Sequence, residues 1–246
     1  MSPFIIFSLL LQIACAVHVV RSGRPLYWIF IILIGSFIGM AIYFLAEVLP
    51  ELRDTRGGQR TIRRVRDRID PDRHKRQASR QLDLADTPAN RKRLAEESLA
   101  RGDFLMAESQ FRTAMQGLYQ TDPDLMLGLA QAQFGLDQPR AARETLDRLI
   151  TANPDFRSHE GHLLYARAVE ACGEHTAALH EYEALVQGFP GEEARIRQAQ
   201  LLEKMGHDAQ AQALYAETLK RADLLPAYYR REQKPWIAIA RQRHEG

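Results

Sequence analysis

The 246-residue chain predicts an all-α molecule: a two-helix transmembrane hairpin followed by a solenoid of about four helix pairs and a C-terminal capping helix. Three observations carry this. Two long uncharged runs open the chain. Charge is segregated along it. Small and large apolar residues then recur at a period of 33–36 residues. Overall composition is that of a globular protein, with 46% hydrophobic and 26% charged residues and a formal net charge of +2. It excludes a collagen, a disulfide scaffold and a low-hydrophobicity disordered chain.

The net charge conceals three zones. Residues 1–52 sum to zero. Residues 53–80 hold eleven basic and four acidic side chains, a local +7, which leaves −5 for residues 81–246. An apolar head, a basic neck and a mildly acidic body are the layout of a membrane-attached protein.

The head, residues 1–50, has no charged side chain in 1–20 or in 25–46. About 20 residues of helix cross a hydrocarbon core. The spans are placed at about 4–20 and 26–48, joined by the turn Arg21–Pro25. The second has Tyr27, Trp28 and Tyr43 where interfacial aromatics belong. The first, interrupted by Gln12 and His18, competes with a signal-peptide reading. It lacks a basic leader and a small-x-small cleavage site. Gly35 and Gly39 form a G-x-x-x-G step that lets the hairpin pack on itself. Seven arginines follow the second span by residue 68, against two in the turn. This predicts an inner (cytoplasmic) membrane protein with both termini cytoplasmic. The stretch His18–Phe44, with its polar turn, Trp28, Gly39 and Tyr43, resembles the N-terminal membrane hairpin (PLDc_N-like) of the bacterial cardiolipin synthase/phospholipase D group. That resemblance covers residues 4–49 and implies an anchor. None of the eight histidines begins the H-x-K-x-x-x-x-D signature of that group's catalytic half.

The linker, residues 51–87, is basic and expected to be partly helical. Ile62, Val65 and Ile69 share one helical face among Arg53, Arg56, Arg60, Arg63, Arg64, Arg66 and Arg68. Those arginines are expected to face anionic lipid, at ~1 kcal/mol each, or to act as a topology signal with a linker. No aromatics interleave with them to stack bases, so no nucleic-acid partner is expected.

The body repeats. Ala95, Ala130, Ala166 and Ala199 lie 35, 36 and 33 residues apart. Each is followed after twelve residues by Ala107, Ala142, Ala178 or Ala211. Four further on stand Phe111, Leu146, Tyr182 and Tyr215, then Ala114, Leu149, Leu185 and Thr218. Gly102, Gly173 and Gly206 fall between the two helices of their units. Pro123, Pro154, Pro190 and Pro226 fall near unit ends. Small residues let paired helices approach, large ones fill the gap to the next unit, and glycine and proline stop helices. One unit cannot bury its own apolar face, so neighbours must stack.

These markers resemble the tetratricopeptide repeat family over residues 88–226, as repeats 88–122, 123–156, 159–191 and 192–226. The chain departs from the family pattern in three ways. No repeat has the tryptophan usual early in its first helix. The second has Gly135 and Pro139 around its turn. The fourth has Thr218 at a usually small or apolar site. Residues 227–246, with Tyr228, Tyr229, Trp236, Ile237 and Ile239, would cap the array and break near Pro235.

The resemblance implies a partner-binding concave surface lined by first helices. Carried onto this chain, its positions are Lys92, Glu96, Gln131, Phe134, Arg167, Glu170, Gln200 and Glu203. Their mixed charge suits an extended or helical internal segment of a protein partner. A solvated helix face is the plainer alternative. No nucleotide loop, metalloprotease motif or paired-cysteine metal spacing occurs. Neither a cofactor nor a metal is therefore expected. His159, His162, Cys172 and His175 read as helix-end side chains near turns rather than ligands, and a Cys15–Cys172 disulfide is not expected. The function expected is that of a non-catalytic, membrane-anchored scaffold or adaptor. An accessory factor for envelope lipid or cofactor biosynthesis is the alternative. A phospholipid-modifying enzyme is a third, disfavoured for want of a nucleophile motif.

Overall fold

The computed structural model describes residues 3–21, 27–32, 42 and 68–245. All regular structure among them is helical. The chain divides into two compact units, residues 1–73 and 74–246.

In the first unit, α1 (Pro3–Arg21) and helical residues 27–32 meet along a small apolar seam. Val19, Trp28 and Ile32 are buried there, with Cys15 and Ile29 against them. The expected two-span inner-membrane topology with cytoplasmic termini is overturned. Among the described residues no helix is long and apolar enough to cross a membrane. The 19 residues of α1 rise about 28 Å against a hydrocarbon core of ~30 Å. The helix carries Gln12, His18 and Arg21 within that length. Apart from residues 27–32 and 42, the expected second span lies outside the described residues. So do Gly35, Gly39, Arg53, Arg56, Arg60, Arg63, Arg64 and Arg66. Of the neck's apolar face only Ile69 is described, 79% exposed, beside the exposed Arg68.

The second unit is a run of helix pairs. After α2 (Arg73–Leu84) come α3 (Pro88–Ala100) with α4 (Phe104–Ala114), and α5 (Pro123–Gly135) with α6 (Pro139–Ala152). Then follow α7 (His159–Ala171) with α8 (His175–Val186), and α9 (Glu193–Lys204) with α10 (Asp208–Leu224). Each first helix packs on its own second helix and, from α5 onward, on the second helix of the preceding pair. All eight marker alanines are fully buried, and Phe111, Leu146, Tyr182 and Tyr215 are at most 2% exposed. An alanine at each crossing lets two helix axes approach, and the large side chain four residues on fills the wedge that remains.

Helix starts follow local chemistry. The side chains of Thr87, Asp103, Asp122 and Ser158 accept a backbone N–H three residues on, at 3.0–3.2 Å. They satisfy donors that the first helical turn leaves open. Pro88, Pro123 and Pro139 sit at first-turn positions where no N–H is needed. Pro123, a marker near a unit end and the first residue of the expected repeat 123–156, begins the first helix of the second pair. A 3₁₀ turn at Gly117–Tyr119 precedes it.

The four turns within pairs are built alike. Asp103, Gln138, Glu174 and His207 donate their N–H to Ser98, Gln133, Val169 and Leu202 carbonyls at 2.8–3.2 Å. This is the closure that follows a left-handed residue at a helix end. Gly102, Gly173 and Gly206 supply that residue in three pairs, with φ of +73°, +86° and +81°. In the second pair it is Asp137, at φ +59°. Gly135, expected at this turn, instead makes room for a neighbouring helix, since a Cβ there would lie 2.4 Å from the Phe104 ring.

The chain ends in α11 (Ala227–Glu232) and α12 (Lys234–Glu245), parted at Gln233 just before Pro235. α12 packs on α9 and α10, where the first helix of a further pair would lie. Ala240 is fully buried there with Ile237, and Trp236 and Ile239 pack beside them. Trp236 stands four residues before Ala240, the early first-helix place whose tryptophan the four pairs lack. Tyr228, expected in the cap's covering face, is 71% exposed. The cap is held by a buried carboxylate instead. Glu192 is wholly inaccessible and accepts from Arg195 Nη1 at 2.6 Å, Tyr229 Oη at 2.9 Å and Arg221 Nε at 3.2 Å. Its own N–H donates to Gln233 Oε1 at 3.0 Å.

Candidate interaction surface

The first helices of successive pairs adjoin, α3 with α5 and α5 with α7. Of the eight expected groove residues, Lys92, Glu96 and Gln131 line one shallow cavity of about 270 Å³. Leu127, Gly128 and Asp124 form its α5 wall, and Glu160 at the start of α7 closes it. Lys92 Nζ donates to Asp124 Oδ2 at 2.7 Å, tying α3 to α5. Burial pulls the Lys92 ammonium down, but Asp124, with Glu96 and Asp122, outweighs burial and holds it above its ordinary pKa.

The other expected residues are mostly engaged in packing between helices. The Arg167 guanidinium lies over the Phe134 ring at 4.7 Å, a cation–π contact between α7 and α5. Burial, then Arg197, lowers the Arg167 pKa. Glu170 accepts from Tyr182 Oη at 2.8 Å within its own pair. Burial first, then that carboxylate, raises the Tyr182 phenol. Glu203 repeats the placement twelve residues before Tyr215, and pairs with Arg243 of α12 at 3.8 Å. The buried Tyr215 hydroxyl makes no hydrogen bond of acceptable geometry. Burial, then the neighbouring Glu203 charge, raises its pKa. Gln200 is half-buried on α9.

A larger cavity, of about 620 Å³, involves none of the expected groove residues. It lies where α6 ends and α7 begins. Leu127, Leu146, Leu149, Ile150 and Phe156 supply its apolar wall. Asp147, Arg157, His159, His162, Tyr165 and Glu181 supply its polar groups. His162 Nε2 and Glu181 Oε2 stand 2.8 Å apart, and His159 meets the Phe189 ring edge-on. Arg157 is folded back, its Nη1 donating to the Pro154 and Phe156 carbonyls. Burial, then Asp147, raises the Tyr165 phenol. The alanine spacing gives no signal for this cavity, since the interval from Ala95 to Ala130 is shorter than that from Ala130 to Ala166 yet holds the longer connection, residues 115–122. Among the described residues no group of three or more His, Cys, Asp or Glu could hold a metal ion. Cys15 and Cys172 are both free thiols.

Comparisons with known proteins agree with this geometry. The tetratricopeptide repeat family model matches residues 98–168. Among solved structures, the chain is similar to TTC0263, a thermophilic tetratricopeptide-repeat protein of Thermus thermophilus. Identity is 21%, the TM-score is 0.50, and the match covers 68% of this chain and 85% of that one. A second similar structure is MamA, at 16% identity and a TM-score of 0.46, covering 62% of this chain and 95% of that one. No curated protein matches the chain significantly. At 21% identity the likeness to TTC0263 is one of fold: an all-α solenoid of tetratricopeptide type.

Proposed function

We propose that the protein is a non-catalytic scaffold whose helix-pair array recruits a protein partner. The observation that carries this is the convergence of three first helices, α3, α5 and α7, on one cavity that Lys92, Glu96 and Gln131 line. The tetratricopeptide-type fold supports it, because stacked helix pairs present extended surfaces to other proteins. Fold alone does not assign function, so the proposal rests on that face. Gln131 faces the cavity between the α3 side and Glu160, and serves as the reporter position.

A photo-crosslinking amino acid in place of Gln131, in the full-length protein in cells, is expected to trap one or a few defined proteins. The same group at Asp223, exposed near the far end of α10, should not trap them. Equal products from both positions, or none from Gln131, would overturn the scaffold reading.

A further inference from the structure

The two cavities share a wall. Leu127 of α5 lines both, and the neighbouring α7 residues Glu160 and Gly161 line one each. They adjoin along the start of α7. Their chemistry differs in a way that describes an occupant. The larger is apolar-walled and falls within the ~300–1,000 Å³ of sites that enclose a ligand group. Ile150 is 53% exposed at that wall. The smaller is polar.

Across both, five carboxylates (Glu96, Asp124, Asp147, Glu160, Glu181) face two cationic side chains, Lys92 and Arg157. Neither cation is a ready anion site. Lys92 is held by Asp124, and Arg157 by its own loop carbonyls. An acidic segment or a nucleic acid would meet net repulsion here, and a purely apolar one would desolvate Glu96 and Glu160 without pairing them. A segment with one bulky apolar side chain and flanking cations satisfies both halves.

We infer that the two cavities form one docking track for a basic segment of a partner protein. A large aromatic or branched side chain enters the larger cavity, and Lys or Arg side chains meet Glu96 and Glu160. This rests on the scaffold reading above and names the partner's chemistry.

The test is selection of random twelve-residue peptides displayed on phage against the full-length protein. Enriched sequences are expected to combine a Trp, Phe, Leu or Ile with two or more Lys or Arg. The strongest, made synthetically, should bind Ile150→Lys at least tenfold more weakly, because that variant places a cation at the apolar wall. Glu160→Gln should weaken it about threefold, as expected for one exposed charge pair. Asp223→Asn should bind unchanged, and binding should fall as salt rises. Because Ile150 and Glu160 are exposed, both variants should retain the parent helical circular dichroism.

Enrichment of acidic or uncharged peptides would overturn the inference. So would basic peptides indifferent to Ile150→Lys, or no enrichment at all. In each of these cases the Gln131 crosslinking result still decides the scaffold reading by itself.

Discussion

Asp137 stands where the other pairs use a glycine. It occupies the left-handed position that Gly102, Gly173 and Gly206 hold elsewhere, with the same closing hydrogen bond. A side chain there costs about 1 kcal/mol relative to glycine. Asp137→Gly is therefore expected to stabilise the protein by about that much, raising the thermal midpoint by ~2–4 °C for a chain of this size. Gly173→Ala should lower it by a similar amount, and calorimetry on the three proteins checks both. Gly128 shows the opposite constraint. A Cβ would stand 2.3 Å from the buried Phe111 ring. Gly128→Ala should lose about 1–3 kcal/mol through overpacking. Phe111→Leu in the same chain should recover part of that loss, so the double variant will fall short of additivity. The turn could be read from three glycines at a fixed offset. Asp137 could not, because any residue fits that offset until the backbone is seen to turn left-handed. Gly128 carries no signal of its own either: its partner, Phe111, lies on the preceding pair, 17 residues earlier in the chain.

Helices are joined end to end by charges that the repeat pattern does not show. Lys75 of α2 donates to Asp103, which also caps α4. The Lys75 hydrogen bond first, and the Met106 N–H second, hold the Asp103 carboxyl below its ordinary range. A depressed folded pKa stabilises above the unfolded value of ~3.9 and is lost as pH falls through the folded one. Asp103→Asn should therefore narrow the stability gap to the parent as pH drops below ~4, measured by urea melts at acid and neutral pH. At the other end Glu192 holds α11 through Tyr229, and binds Arg221 and Arg195 alongside. Removing one member of a buried charged network strands the others at ~3–5 kcal/mol. Glu192→Ala should accordingly unfold the cap first, seen as faster amide exchange in α11 and α12 than in α5. The sequence suggested a cap near Pro235 with Tyr228 in its covering face, but that side chain points to solvent. Nothing local distinguishes it from Tyr229, whose hydroxyl reaches a carboxylate 37 residues away.

The array as a whole needs its terminal helix. α12 covers Ile196, Leu202 and Tyr215, which would otherwise end the solenoid in an apolar face. Stacked repeats depend on such caps for solubility. A chain ending at Leu225 should stay strongly helical but self-associate, measured by circular dichroism and size-exclusion chromatography beside the full-length protein.

The amino-acid sequence alone determined the α-class, the 33–36-residue period and the eight alanine crossings. Those depend on residue size at fixed spacing, which a linear pattern records. It also led to a two-span anchor that the described helices do not support: an apolar run indicates low affinity for water, and Gln12, His18 and Arg21 limit what such a run can cross. Tertiary structure decided which of the expected groove residues remain available. Glu170 and Glu203 sit at groove offsets, yet each lies against a tyrosine twelve residues on. Phe134 carries Arg167 on its ring, so Lys92, Glu96 and Gln131 are left to line the cavity. It also decided where the larger cavity lies, because that space belongs to several helices and a connection that no single segment encodes.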